Sequence, residues 1–219
     1  MKKLKLTRGE IKRVITDTGL DNLIFDVDTS ELTSIKTGGR ALCYFTADKM
    51  KDLKKMIETC MKNQIKFMVI GDGTNILFSD KYINLVLLKL GRDFNYMEFS
   101  DGNKITAGAA YKLLKFVVAA AVSRYDFSDL FGIPGTIGGS VMGNSGSKDM
   151  EICDFVERVS YISNKGGNIR EETIDLRDGN FGYRHFYIPD LIVLTRIVLR
   201  RGKSDKNNIL EKIASIIKN

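Results

Sequence analysis

Gly132-Ile133-Pro134-Gly135-Thr136-Ile137-Gly138-Gly139-Ser140, running on to Gly143-Asn144-Ser145-Gly146, places six glycines in fifteen residues. Glycine lowers both helix and strand stability, so such density argues against an ordinary helix or strand interior. The stretch carries no charge, so solvation does not explain it. A close approach of backbone to a ligand does, and so does an elaborate loop. Pro134 fixes φ ahead of the turn, and Thr136 and Ser140 offer hydroxyls.

A second glycine stretch lies upstream: Ile70-Gly71-Asp72-Gly73-Thr74-Asn75-Ile76-Leu77. It follows an apolar run, Phe67 to Ile70. Glycines at 71 and 73 allow a tight turn with successive N–H groups exposed, the geometry of an anion nest. A dinucleotide fingerprint fails here. Ile76 stands where a third glycine belongs, and Ile76-Leu77-Phe78 reads as strand where a helix is required. Alone, the stretch is compatible with a structural turn or an anion site. Downstream, Phe181-Gly182-Tyr183-Arg184 sets an Arg beside a Tyr, a pairing that can hold an anion in a planar donor fork.

The flanking periodicity supplies the frame. Thr7-x-x-Glu10 predicts a capping box opening a short helix, with Gly19 to end it. Leu42 to Phe45 reads as a strand. Met50, Leu53, Met56, Ile57, Cys60 and Met61 recur at helical spacing, predicting a helix over 47–62. With the strand at 67–70 this predicts a βαβ unit, and Ile83 to Leu88 adds a strand. Beyond Gly91 the pattern becomes antiparallel. Hairpins are predicted about Asp101-Gly102 and Lys165-Gly166-Gly167, with an apolar helix at 111–123 between them. A strand at 191–199 and a closing helix from Ile209 complete the chain. The expected class is α+β with two lobes, 1–92 and 93–203, and a terminal helix over 204–219.

Composition narrows the chemistry. The 219 residues carry a net charge of +7, with one histidine (His185) and three cysteines. One histidine excludes zinc sites that need two, and no metal site is expected. Cys43, Cys60 and Cys153 form no C-x-x-C pair and suit a reduced, cytoplasmic setting. No run approaches a membrane span. The basic residues are scattered and form no nucleic-acid motif, so no nucleic-acid partner is expected.

Taken together the motifs are far more specific than any one. Thr33-Ser34-Ile35-Lys36-Thr37-Gly38-Gly39, the loop 71–77, the segment 132–139, Asn144-Ser145-Gly146 with Glu151, and Phe181-Gly182-Tyr183-Arg184 occur in one order. That order and spacing resembles the UDP-N-acetylenolpyruvoylglucosamine reductase family, over residues 25–203. The resemblance implies a two-lobed FAD-binding fold of the vanillyl-alcohol-oxidase type. It implies FAD contacts at Ile70, Gly71, Asp72, Gly73, Thr74, Asn75, Ile76 and Leu77. In the second lobe it implies contacts at Gly108, Ile133, Pro134, Gly135, Thr136, Gly138, Gly139, Ser140, Met142, Asn144 and Gly146. Arg184 matches the arginine that polarises the substrate carboxylate, and Tyr183 lies beside it. The implied reaction passes hydride from NADPH through FAD to an enolpyruvyl sugar nucleotide in peptidoglycan precursor synthesis.

Two departures qualify that expectation. The family continues into a third, substrate-binding domain with a proton-donor serine in Gly-Ser-x-Phe and a distal glutamate, and residues 204–219 show neither. The family's Asn-Ala-Gly-Ala-Tyr-Gly-Gly-Glu is Asn144-Ser145-Gly146-Ser147-Lys148-Asp149-Met150-Glu151 here. The alternatives are therefore a non-catalytic FAD-binding module, or a subunit completed by a partner chain that supplies the third domain.

Overall fold

The computed structural model describes residues 6–147, 150–176 and 180–218. Lys148 and Asp149, two of the altered motif positions, lie outside the described residues. The chain forms two compact units, residues 1–93 and 94–219.

In the first unit α1 (Arg8–Thr16) opens with the predicted capping box, Thr7 accepting from the Glu10 N–H while Glu10 accepts from the Thr7 N–H. The helix ends at Asp17, and Gly19 stands in the following turn at φ +63°. Then come β1 (Leu23–Asp28), β2 (Arg40–Ala47), α2 (Met50–Lys62), β3 (Phe67–Ile70) and β4 (Ile83–Leu90). The sheet order is β1-β2-β4-β3. β2 and β3 both run parallel to β4, which lies between them, so the βαβ unit is split by a later strand. β1 is an antiparallel edge that the periodicity did not predict, because Asp26 and Asp28 break its apolar run.

Both faces of this sheet are covered. Leu53, Met56, Ile57 and Cys60 bury the apolar stripe of α2, and Ile11 and Ile15 that of α1. A second cluster holds Ala41, Ile70, Phe78 and Leu87, with Ile76 and Met68 packed on it. The segment 76–78 is not the strand predicted for it. Its alternation is real, with Ile76 and Phe78 inward and Leu77 71% exposed. The segment lies on the sheet as an apolar cover rather than within its ladder.

The second unit runs β5 (Met97–Ser100), β6 (Lys104–Gly108), α3 (Leu113–Val122), α4 (Ile137–Met142), β7 (Val156–Lys165) and β8 (Asn168–Asp175). Next come the short β9 (Phe181–Gly182) and β10 (His185–Phe186), β11 (Leu191–Arg200) and α5 (Lys206–Lys218). Both predicted hairpins form, with Gly102, Asn103, Gly166 and Gly167 all at positive φ. The sheet is antiparallel in the order β5-β6-β11-β7-β8, so the last strand fills its centre. That placement matches the nearly unbroken apolar run of β11. Phe116, Phe127 and Phe155 meet at ring distances of 4.9 and 5.0 Å beneath α3.

α4 corrects the expectation that the glycine-rich segment is non-helical. Two glycines in six residues cost about 1 kcal/mol each relative to alanine, so the helix has no intrinsic stability. Tertiary contact holds it. Gly138 donates to the Ala109 carbonyl at 2.9 Å, Ile137 to Tyr111 at 2.8 Å, and Leu113 to Gly135 at 3.0 Å. A Cβ at Gly138 would stand 2.8 Å from the Ala109 Cβ, so only glycine admits that approach. Thr136 caps the helix by accepting from the Gly139 N–H.

Candidate functional site

The first unit carries the loop at the carboxyl end of β3. Gly73 sits at φ +65°, and a Cβ there would lie 1.9 Å from the Leu32 carbonyl oxygen. Its own carbonyl accepts from the Ser34 N–H at 3.1 Å. A trans peptide sets the carbonyl and the next N–H antiparallel, so a carbonyl turned toward Ser34 turns the Thr74 N–H the other way. Thr74, Asn75 and Leu77 are exposed. The donor set on this surface is therefore a hydroxyl, a side-chain amide and a backbone N–H. That donor chemistry fits the diphosphate of a dinucleotide. Asp72 brings a carboxylate into the same loop, and the Lys89 Nζ stands 3.3 Å from its Oδ1. Lys89 pairs in register with Ile70, the last residue of β3.

The second unit carries the remaining candidates. Gly139 and Met142, three residues apart on α4, are exposed together with Gly132 and Pro134. Thr136, Gly138 and Ser140 are buried and serve the helix itself. Gly108 is also buried: a Cβ would stand 2.1 Å from the Phe94 carbonyl oxygen, so its glycine answers the close approach of the Phe94 backbone to the end of β6. Neither pattern was separable from ligand contact in the sequence.

Asn144, expected among the FAD contacts, has its side chain turned inward. It is 1% exposed. Its Nδ2 donates to Glu151 Oε2 at 2.6 Å and to the Gly182 carbonyl at 3.1 Å. Its Oδ1 accepts from the Cys153 N–H at 3.3 Å. The amide is spent inside the unit, where it fastens the glycine segment to the 151–154 turn and to β9. A buried amide takes the partners that the fold brings within reach, which the sequence does not disclose.

β9 and β10 form a hairpin with Tyr183 and Arg184 as its two-residue turn. Arg184 adopts φ +54° and both turn residues are exposed. The guanidinium stands 5.6 Å from the Tyr183 ring centroid. Beneath the tip Phe181 and Phe186 pack at 4.7 Å, so the base is anchored while the cation is presented. His185 is exposed and stacks on Tyr187. Among the described residues no cluster of three His, Cys, Asp or Glu could hold a metal ion, and no helix is long and apolar enough to cross a membrane.

The FAD binding domain family matches residues 41–171. UDP-N-acetylenolpyruvoylglucosamine reductase of Rickettsia rickettsii (strain Sheila Smith) is 32% identical over 216 residues, covering 97% of this chain and 67% of that protein. The reductase of Rickettsia prowazekii (strain Madrid E) is likewise 32% identical over 215 residues. This chain thus spans about two thirds of the length of these relatives. Among solved structures, UDP-N-acetylenolpyruvylglucosamine reductase (MurB) from Thermus caldophilus superposes with a TM-score of 0.75 at 25% identity, over 88% of this chain and 67% of that one. Cholesterol oxidase from Brevibacterium sterolicum shares the fold alone, with a TM-score of 0.62 at 13% identity, over 83% of this chain and 38% of that one. The chain thus has an α+β FAD-binding fold and belongs to the UDP-N-acetylenolpyruvoylglucosamine reductase family.

Proposed function

We propose that this chain binds FAD and carries the hydride-transfer half of a UDP-N-acetylenolpyruvoylglucosamine reductase, with NADPH as reductant, in the cytoplasmic synthesis of peptidoglycan precursors. The observation that carries the reading is the β3 loop, with its inward Gly73 carbonyl and its exposed Thr74 and Asn75 donors. FAD, when bound, supplies the two-electron chemistry that neither side chains nor backbone can perform.

The chain's residues hold, orient and polarise. The Thr74 hydroxyl, the Thr74 N–H and the Asn75 amide bind diphosphate oxygens. Met142 and Gly139 give an apolar surface against which a flat ring can lie. The Arg184 guanidinium takes the enolpyruvyl carboxylate in its planar fork and stabilises the negative charge that develops as hydride reaches the β-carbon.

A second reading is favoured by the Arg184 tip. Arg184 is exposed beside a Tyr183 that is 86% exposed, so among the described residues of this unit nothing excludes water from the guanidinium. A carboxylate held in open water gains little from one arginine. In this reading the chain loads flavin alone, and turnover needs further protein over the tip.

One experiment tests both. The purified chain is titrated with FAD and then assayed for NADPH oxidation dependent on the enolpyruvyl sugar nucleotide. Stoichiometric flavin with turnover supports the first reading, and flavin without turnover the second. Arg184→Ala is expected to retain flavin and to lower kcat/KM by roughly 10²–10³-fold. No flavin in the wild-type chain overturns both readings.

A further inference from the structure

Asn144 stands one residue past the C-cap of α4 at φ +40°, in the left-handed region that asparagine tolerates better than most residues. Its buried side chain faces two acceptors and one donor. The acceptors are the Glu151 carboxylate at 2.6 Å and the Gly182 carbonyl at 3.1 Å, and the donor is the Cys153 N–H at 3.3 Å. Only a carboxamide carries an NH2 and an acceptor oxygen on one carbon, so these partners fix which end of the amide points where. Glu151 takes one Nδ2 hydrogen and thereby aims the other at Gly182. Gly182 is the last residue before the Tyr183-Arg184 turn. The Phe181–Phe186 contact holds the two strands of the hairpin to each other, and the Asn144 bond ties them to the end of α4.

We propose that Asn144 is a positioning residue: through the Gly182 carbonyl it sets the Arg184 guanidinium relative to the Gly139 and Met142 face of α4, and Glu151 orients its amide for that task. The inference rests on reading Arg184 as the carboxylate fork and α4 as the surface for the flavin ring. Hydride transfer needs its partners within a narrow range of separation, and a displacement of about 1 Å can cost roughly 10²-fold. Asn144 acts through another residue, so its effect passes through Arg184 and vanishes when the guanidinium is gone. A merely structural role would lower activity whether or not Arg184 is present.

The test pairs Asn144→Asp with Glu151→Gln in the full chain. The exchange keeps the net charge, the tolerance for left-handed backbone, an acceptor for the Cys153 N–H and a hydrogen bond between positions 144 and 151, now donated from 151. It removes the donor to Gly182. Flavin-saturated protein is assayed for NADPH oxidation dependent on the enolpyruvyl sugar nucleotide. The paired variant is expected to lower kcat/KM about 10-fold, but less than about 2-fold when Arg184→Ala is also present. Amide hydrogen exchange should quicken at 181–186 and stay unchanged at 151–154. Glu151→Gln alone keeps an acceptor for the Asn144 amide and is expected within about 3-fold of wild type. Asn144→Gly, which accepts the left-handed backbone, carries the same cycle if the paired variant fails to fold. Equal losses with and without Arg184, unchanged exchange at 181–186, or a Glu151→Gln variant as impaired as the pair overturns the proposal while leaving the role of Arg184 intact. A wild-type chain without turnover overturns the catalytic reading of Arg184 and this inference with it.

Discussion

Gly73→Ala probes the point on which the β3 loop depends. The backbone there is left-handed at φ +65°, and the new Cβ would stand 1.9 Å from the Leu32 carbonyl oxygen. Two non-bonded atoms cannot share that distance, so the loop must withdraw from the 32–34 segment. Withdrawal breaks the hydrogen bond from the Ser34 N–H to the Gly73 carbonyl. The left-handed conformation costs alanine about 1–2 kcal/mol. The lost hydrogen bond adds about 1 kcal/mol. Alanine restricts the unfolded chain and returns about 0.7 kcal/mol. The net expectation is a loss of about 1.3–2.3 kcal/mol. Urea unfolding followed by far-UV circular dichroism measures it, with FAD titration in parallel. Gly139→Ala is the internal control. That residue is exposed and helical, its φ is ordinary, and its nearest contact is a hydroxyl at 3.3 Å. Alanine there is expected to be neutral or to stabilise by up to about 1 kcal/mol. Equal effects at the two sites would refute the argument, because both would then be responding to generic loss of glycine.

Other outcomes follow from the same structure. Asn144→Ala removes three hydrogen bonds, one of them to the Glu151 carboxylate, and is expected to cost about 2–4 kcal/mol; limited proteolysis should then cut near the Arg184 hairpin before the rest of the unit. Asp126 is desolvated by burial, yet its hydrogen bonds from Lys212 and Ser128 outweigh this and hold its carboxyl below the usual range. A depressed folded pKa means stability present above the unfolded carboxylate value of about 3.9 and lost as pH falls through the folded one. Lys212 reaches Asp126 from α5 at 2.6 Å, so acid titration should weaken the docking of α5, and Lys212→Met should reduce that pH dependence to the share carried by Ser128. Burial pushes the Cys43 and Cys60 thiols up to about 12, whereas Cys153 is partly exposed. A thiol reagent should label Cys153 slowly in the native protein and the other two only in denaturant; rapid labelling of all three would contradict the packing of the first unit.

Local patterns were legible wherever one residue's environment is set by its neighbours in sequence. The capping box at Thr7 and Glu10, the stripe of α2, the glycine turns at 102 and 166–167, and the apolar run of β11 are all of this kind. β1 was not, since its acids interrupt the alternation and Asp26 at φ +53° departs from strand geometry. α4 was not, because its stability lies in bonds to residues 109–111. The same holds for the site. Glycine at 71 and 73 and the Tyr183-Arg184 pair were visible as chemistry. That the Asn144 amide is consumed by Glu151, Gly182 and Cys153 was not, since a side chain's partner is chosen by the fold.

The sequence by itself determined the two glycine segments, the element types that flank them, and the family to which their order belongs. Residue type limits φ and ψ directly, and side-chain period follows from secondary structure. Only the tertiary structure decided that β4 enters between β2 and β3, and that β11 takes the centre of the second sheet. Only there do Lys89 and Asp72 meet, because the parallel pairing of β3 with β4 sets Ile70 beside Lys89. Hydrogen bonds between distant strands leave no periodic trace in the chain, because each strand offers the same donors and acceptors to any neighbour.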